Sequence, residues 1–192
     1  SGRLPEAIVC LNRACAQQPE SAEARNDLGN ALKDFGRTAE AVACYERALA
    51  LNDELVEAWN NLGNALAQLG RSPEALHCYR EALRRHPDFA DAHLNLGNLF
   101  KQRGLGDDAM FCFNEALRCR PDLPQAHNNL GVVLTERGRH AEAIAAPERA
   151  PALKPDFAEA HNNLGNVYKN EGRLELALAS FSRAVSLRPD YS

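Results

Sequence analysis

The chain has 192 residues and a formal net charge of −4, with 45% hydrophobic and 25% charged residues. This composition is that of a folded globular protein and differs from that of disordered chains. The length suffices for one domain and is marginal for two. Because Lys and Arg never form runs longer than two, a surface for nucleic acid or for an anionic membrane is not expected. The sequence also lacks an apolar run near the roughly 18 residues that indicate a membrane-spanning helix.

The predicted elements begin with one isolated helix and continue as a strict repeat. Residues 1–21 have a helical apolar stripe at Ala7, Leu11 and Ala14, followed by Pro19. From residue 22 a pattern with a period of 34 residues occurs five times, over 22–55, 56–89, 90–123, 124–157 and 158–191. Because residues 1–21 match the second half of this pattern, we interpret them as the second helix of a truncated repeat.

Each repeat is predicted to contain two helices. In the second repeat, apolar residues recur at steps of three and four over 56–69 and again over 73–84, which is the helical period. Gly70 lies between these segments, where a left-handed backbone can end a helix, and Pro87 ends the second helix. Gly63 and Ala75 are small and are expected where the two helices approach closely. Since one helix pair cannot bury its own apolar face, the repeats are expected to stack into an all-α solenoid.

The fourth repeat departs from this pattern in its second helix. Pro147 stands where the repeat calls for an aromatic residue, and Pro151 where it calls for a leucine-like one. A proline inside a helix removes a hydrogen bond and clashes with the preceding turn, at a cost of about 3 kcal/mol or more. We therefore expect the helix over 141–153 to be bent, shortened or poorly ordered. A functional hinge, a tolerated defect and a sequence misassignment remain open as explanations.

These residues resemble the tetratricopeptide repeat, whose pattern runs aromatic, Leu-Gly, aromatic, Ala, aromatic, Ala, Pro. The second repeat matches it best, at Trp59, Leu62-Gly63, Ala75, Tyr79, Ala82 and Pro87. The other repeats depart from it at the opening aromatic, which is replaced by Arg25, His93, His127 or His161. The resemblance implies a right-handed α-solenoid of helix–turn–helix units. It also implies that the first helices line a concave face, where such domains hold peptides.

The informative polar signal is a set of asparagines around the Leu-Gly pair. The residue directly before the pair and the residue directly after it are three positions apart on a helix, so they share one face. An Asn amide offers donors and an acceptor, so it can pair with a peptide backbone without reading its side chains. We predict that eight of these asparagines bind peptide, namely Asn30, Asn61, Asn64, Asn95, Asn98, Asn129, Asn163 and Asn166.

The expected spacing of these asparagines suits an extended ligand. Packed helices lie about 8–10 Å apart, and an extended chain rises about 3.3 Å per residue. One asparagine per repeat could therefore meet every third residue of a bound peptide. A second interpretation stays open, in which the asparagines only form hydrogen bonds between helices.

The asparagine ladder most resembles the superhelical arm of O-linked N-acetylglucosamine transferases, SPINDLY-like bacterial homologues included. That resemblance implies a substrate-recruiting arm, and a glycosyltransferase domain would have to lie outside this sequence. A clamp for the acidic tails of heat-shock chaperones is disfavoured, because it needs Lys or Arg where this chain has asparagines. The alternative function is a structural assembly module that oligomerises through solenoid ends or convex faces.

Other residues that could carry chemistry are interpreted as packing residues. Cys10, Cys44, Cys78 and Cys112 recur every 34 residues at one position of the repeat. Equivalent positions of stacked repeats lie about 10 Å apart, too far for a disulfide, and we expect these cysteines to be small, buried and reduced. The same spacing prevents His93, His127 and His161 from meeting at one zinc ion. We predict no catalytic residue, no cofactor and no metal, and hence no enzyme. The reduced cysteines favour a cytoplasmic setting, and the start without Met suggests a fragment of a longer protein.

Overall fold

The computed structural model describes residues 3–189, with side chains described from residue 7 onward except at 140, 141 and 144–147. In this part of the chain the regular secondary structure consists of eleven α-helices. The helices are α1 Arg3–Gln17, α2 Ala22–Asp34, α3 Thr38–Leu51, α4 Val56–Gln68, α5 Ser72–Arg85, α6 Ala90–Gln102, α7 Gly106–Cys119, α8 Pro124–Glu136, α9 His140–Leu153, α10 Ala158–Asn170 and α11 Leu174–Leu187. Each is too short or too polar to cross a membrane, among the residues described.

The helices form two compact units, Ser1–Asn95 and Leu96–Ser192, and α6 contributes residues to both. Within the first unit α2 packs against α3 and α4 against α5, and α3 also packs against α4. Within the second unit α8 packs against α9 and α10 against α11. The predicted fold class is confirmed, because each repeat supplies one helix pair and the pairs follow in tandem.

The first helix of every repeat ends at the predicted glycine. Gly70 has a φ of 77°, and the four equivalent glycines have φ between 69° and 83°. In this left-handed conformation the amide of Arg71 reaches back to the carbonyl of Leu66 at 2.9 Å, which closes the helix end. A residue with a side chain would be strained in this backbone conformation, so glycine explains why all five first helices stop at the same place.

The glycine of the Leu-Gly pair serves a different purpose, which is close packing. A Cβ atom added to Gly63 would lie 2.6 Å from Cε1 of Tyr79. The equivalent ring, Tyr45 or Phe113, is fully buried in the first and third repeats, and Ala75 is also fully buried. The predicted close approach of the two helices at Gly63 and Ala75 is therefore confirmed. An aromatic ring from the second helix fills the space that the glycine leaves on the first.

The helix α9 differs from the expectation drawn from its prolines. It runs over His140–Leu153 and has 14 residues, as do α3 and α5, so of the expected outcomes (bent, shortened or poorly ordered) shortening is not found. The fixed φ of proline, near −65°, is itself helical, which allows the backbone to continue. Ala143 and Ala150 are fully buried and α9 packs against α8. Tertiary packing therefore offsets the hydrogen bonds that the two prolines cannot donate.

Candidate functional site

The asparagines directly before Leu-Gly connect neighbouring first helices. In the first unit, Asn61 Nδ2 donates to Asn26 Oδ1 at 3.0 Å, which joins α4 to α2. In the same way Asn95 Nδ2 donates to Asn60 Oδ1 at 2.9 Å. In the second unit, Asn163 Nδ2 donates to Asn128 Oδ1 at 3.0 Å and joins α10 to α8. The donor follows its acceptor by 35 residues in each case, and the donors Asn61, Asn95 and Asn163 occupy equivalent positions of the 34-residue repeat.

These bridges confirm that the asparagines form hydrogen bonds between helices, and they leave part of each amide unused. Asn26 and Asn60, the acceptors, are buried, whereas Asn61, Asn95 and Asn163 are half-buried. Within residues 3–189, the Oδ1 atom of each of these three donors has no protein hydrogen-bond partner. Since an amide nitrogen carries two hydrogens, each donor also keeps one N–H. One acceptor and one donor per amide thus remain for a ligand.

The asparagines directly after Leu-Gly accept from the second helix of their own repeat. Tyr45 OH donates to Asn30 Oδ1 and Tyr79 OH donates to Asn64 Oδ1, both at 2.8 Å. Burial raises the pKa of both tyrosines well above the usual range, so the hydroxyls remain protonated donors. Asn30 and Asn64 therefore keep their NH₂ groups for other partners, while their oxygens accept from the tyrosines.

In the second unit the same positions have different partners. The third repeat has Phe113, which carries no hydroxyl, and Asn98 Oδ1 accepts from Asn129 Nδ2 at 2.7 Å. Asn129 Oδ1 accepts from Lys101 Nζ at 3.0 Å. Asn129 is only 9% exposed, and it is the most enclosed of the eight predicted peptide-binding residues. Asn166 follows Leu-Gly in the last repeat and is exposed.

A cavity of about 120 Å³ lies between α8 and α10 in the second unit. It occurs where Val132 replaces the asparagine that follows Leu-Gly in the other repeats. Its lining consists of Gly131, Val132, Thr135, Glu136, Asn163, Asn166 and Val167. The cavity therefore opens beside two of the predicted peptide-binding asparagines, on the face that carries the asparagine bridges.

One recurring contact was missed by sequence reasoning. The residue at the opening position of each repeat donates an N–H to the backbone carbonyl of the residue six positions earlier. The contacts are Arg25 to Pro19 at 3.3 Å, Trp59 to Asp53 at 2.7 Å, His93 to Pro87 at 2.8 Å, His127 to Pro121 at 2.8 Å and His161 to Pro155 at 3.1 Å. All three residue types carry an N–H group, and this shared chemistry was the available signal.

The histidines and cysteines have structural positions. His93 and His127 are buried, as the packing interpretation predicts. Cys78 and Cys112 are buried free thiols, and burial raises the pKa of each to about 12, which disfavours the reactive thiolate. Cys10 is exposed, so its predicted burial is wrong.

In the third repeat, Cys112 lies against the first helix of its own repeat, where its Cβ would be 3.2 Å from a Cβ placed on Gly97. Within the described residues, no three His, Cys, Asp or Glu side chains are grouped so that they could hold a metal ion.

Family profiles cover nearly the whole sequence. A profile described as "TPR repeat" matches residues 1–36, 29–70 and 133–172. Profiles described as "tetratricopeptide repeat" match residues 60–124, 112–145 and 158–191. No curated protein matches the sequence significantly.

Several solved structures have the same fold. YrrB, a TPR protein with an unusual peptide-binding site, is 23% identical with a TM-score of 0.70, over 94% of this chain and 93% of YrrB. The thermophilic TPR protein TTC0263 of Thermus thermophilus is 26% identical with a TM-score of 0.72, over 89% and 93%. The pilF protein of Pseudomonas aeruginosa is 21% identical with a TM-score of 0.87, over 98% and 86%.

Proposed function

Because the chain belongs to the tetratricopeptide repeat family, whose repeats are non-catalytic scaffolds for protein–protein interaction, we propose that it binds extended peptide segments of a partner protein. In each unit, the binding face is the one formed by its first helices, where the asparagine bridges lie. The observation that carries the proposal is the repeated bridge itself. It holds one amide per bridge in a fixed orientation and leaves that amide one N–H and one oxygen for a ligand.

The bridge prepares each amide for a peptide backbone. A free asparagine side chain loses rotational freedom when it binds, and this lost entropy weakens the complex. Here the bond from Asn61 to Asn26, and its equivalents, restrict the side chain before any ligand arrives. The remaining N–H can donate to a peptide C=O, and Oδ1 can accept from a peptide N–H. Recognition of this kind reads the backbone and tolerates many side chains.

The known peptide-binding relative supports the same assignment. YrrB is described as a TPR protein with a peptide-binding site, and its fold is that of this chain. A narrower form of the proposal makes this chain the substrate-recruiting arm of an O-linked N-acetylglucosamine transferase, on the resemblance of its asparagine ladder. A glycosyltransferase domain in the sequence of the full-length protein would support that form, and a full-length protein without one would contradict it.

The experiment distinguishes two contributions to binding: the amides of Asn61 and Asn95, which would contact the ligand, and the hydrogen bonds that hold these amides in place. Two double variants break the same two bridges. The first is Asn61→Ala with Asn95→Ala, and the second is Asn26→Ala with Asn60→Ala. Only the first pair also removes the amides that would meet a ligand. Binding of fluorescein-labelled, unstructured Gly/Ser-rich peptides is measured by fluorescence anisotropy. We expect the first pair to weaken binding about tenfold or more, since each lost hydrogen bond contributes about 1 kcal/mol.

The second pair should weaken binding by a clearly smaller factor, because its ligand-facing amides remain but are no longer held, while lowering the melting temperature to a similar extent. Asn114→Ala, an exposed asparagine on the second helix α7, should change neither quantity. Equal loss of affinity in both pairs would reduce the asparagines to a structural role. Absence of any peptide binding by the native chain would remove the proposal altogether.

The assembly alternative is favoured by one separate observation. On α11, Leu174 is 67% and Leu178 is 68% exposed, and Val185 is also exposed. Thr38 and Val42, which occupy the positions equivalent to the two leucines in the first repeat, are buried. An apolar patch of this kind is a common site of association. If the chain assembles through it, mass measured by analytical ultracentrifugation rises with concentration, and Leu174→Ser with Leu178→Ser restores the monomer.

A further inference from the structure

The row of asparagines after Leu-Gly is interrupted once, in the fourth repeat. Four repeats have asparagine there and the fourth has Val132, whose side chain has no polar atom. At this position the structure contains the cavity of about 120 Å³ between α8 and α10. A ligand that lies along the first helices of the second unit would therefore pass over an opening beside Val132, where an amide would otherwise stand.

The cavity is apolar inside and polar at its edge. Gly131 contributes no side chain, Val132 is half-buried, and Val167 is 4% exposed. Thr135 Oγ1 donates to the Gly131 carbonyl at 2.8 Å, so its hydroxyl is already used within α8. The atoms that line the cavity are mainly apolar, so an apolar ligand group that enters it is stabilised by the burial of apolar surface. The chemistry of the lining therefore favours an aliphatic group.

Two features of the edge fix how such a group would arrive. Asn163 and Asn166 both border the cavity, and Asn163 is held by its bond to Asn128. Amides on the rim can pair with the backbone of a peptide while one of its side chains enters. Glu136 also lies on the rim, is exposed, and has no ion pair within the described part of the chain. Its carboxylate favours a neighbouring basic residue and disfavours an acidic one.

We infer that the Val132 cavity is a side-chain subsite, which takes a valine- or leucine-sized residue of a bound extended peptide with Lys or Arg beside it. The inference rests on the proposed function, because it assigns a preferred residue to the peptide that the asparagines hold. Elsewhere on this face the contacts are amides that read only backbone. The subsite thus gives an otherwise tolerant surface one point of selectivity, which fixes the register of the peptide.

The test uses two capped Gly/Ser peptides of about nine residues, long enough to cross three helices spaced about 10 Å apart. They carry Leu-Lys or Ser-Lys at the centre and are otherwise identical. Binding is measured by anisotropy, and by methyl shifts of a valine-labelled chain that has seven valines to assign. We expect the Leu peptide to bind about tenfold more tightly than the Ser peptide and to shift the methyls of Val132 and Val167. A Leu-Glu peptide should bind more weakly than the Leu-Lys peptide.

Val132→Asn, which restores the residue of the other repeats, places an amide at the cavity and should abolish the preference for Leu over Ser. Val132→Thr is the second variant, in case Val132→Asn is poorly folded. It keeps the shape of the valine and adds a hydroxyl, and it should reduce the preference for the Leu peptide. Equal binding of both peptides to the native chain would overturn the subsite and leave the proposed function standing. Failure of both peptides to bind would overturn the proposed function and the subsite with it.

Discussion

The second and fourth repeats carry different residues at two equivalent positions. In the second repeat, Tyr79 lies against Gly63 and its hydroxyl donates to Asn64 at 2.8 Å. One side chain therefore fills the space beside the glycine and also satisfies the asparagine. In the fourth repeat the sequence has Pro147 in place of the tyrosine and Val132 in place of the asparagine. Donor and acceptor are replaced together, so no amide oxygen is left to find a new partner.

The third repeat shows that the two roles of the tyrosine can be separated. Phe113 keeps the ring, and a Cβ on Gly97 would lie 2.6 Å from its Cε1. It lacks the hydroxyl, and Asn98 accepts from Asn129 instead. The comparison teaches that the ring occupies the space beside the glycine, whereas the hydroxyl determines which partner the asparagine takes. The fold tolerates loss of the hydroxyl without change in helix length.

The largest expected effect comes from giving the fourth repeat the residues of the second. Pro147→Tyr with Pro151→Leu restores two backbone donors in α9. We expect the free energy of unfolding to rise by about 3 kcal/mol or more, the cost of interior proline. Urea titration followed by circular dichroism measures it, with each single substitution as the internal control. An unchanged midpoint would contradict the argument that α9 holds its prolines at a cost.

The next effect tests the glycine contact by adding one methyl group. In Gly63→Ala the new Cβ meets the buried ring of Tyr79, and overpacking of this kind costs about 2 kcal/mol. Gly131→Ala is the matched change in the fourth repeat, where the sequence supplies no aromatic ring at position 147. We expect a smaller loss there, measured by thermal unfolding. Equal losses in both variants would show that the ring is not the cause.

The smallest effect concerns the hydroxyl alone. Tyr79→Phe removes the donor to Asn64 and leaves the ring in place, so we expect a loss of about 1 kcal/mol. Phe113→Tyr is the reverse change in the third repeat, and it should be close to neutral because Asn98 already accepts from Asn129. Denaturant titration of both proteins measures the difference. A large gain from Phe113→Tyr would contradict the separation of ring and hydroxyl.

Much of the fold could be predicted from the sequence, because its determinants are local. The 34-residue period, the stop at Gly70 and the end near Pro87 depend on backbone preferences that one helix pair expresses by itself. Of the outcomes expected for α9 (bent, shortened or poorly ordered), shortening is not found, and Ala143 and Ala150 are buried in a helix of 14 residues.

The candidate site was predictable only in part. The asparagines lie on the first helices as predicted, and the period even suggests regular bridges between them. Which amide meets which partner depends on the relative shift of packed helices, and a repeat pattern does not specify it. Asn129 shows the limit, since it bonds to Asn98 and Lys101 rather than forming the bridge seen at Asn61. The cavity at Val132 likewise depends on how α8 and α10 are spaced.

The contact at the start of each repeat changes how divergence in such arrays should be understood. Arginine, tryptophan and histidine differ in size, aromaticity and charge, yet Arg25, Trp59 and His93 all donate to a main-chain oxygen in the loop before them. A sequence pattern that requires an aromatic residue at this position gives too little weight to repeats that keep only the N–H donor. Designers of artificial arrays gain freedom from the same fact, because any side chain that delivers a nitrogen-bound hydrogen to that oxygen can tether the loop.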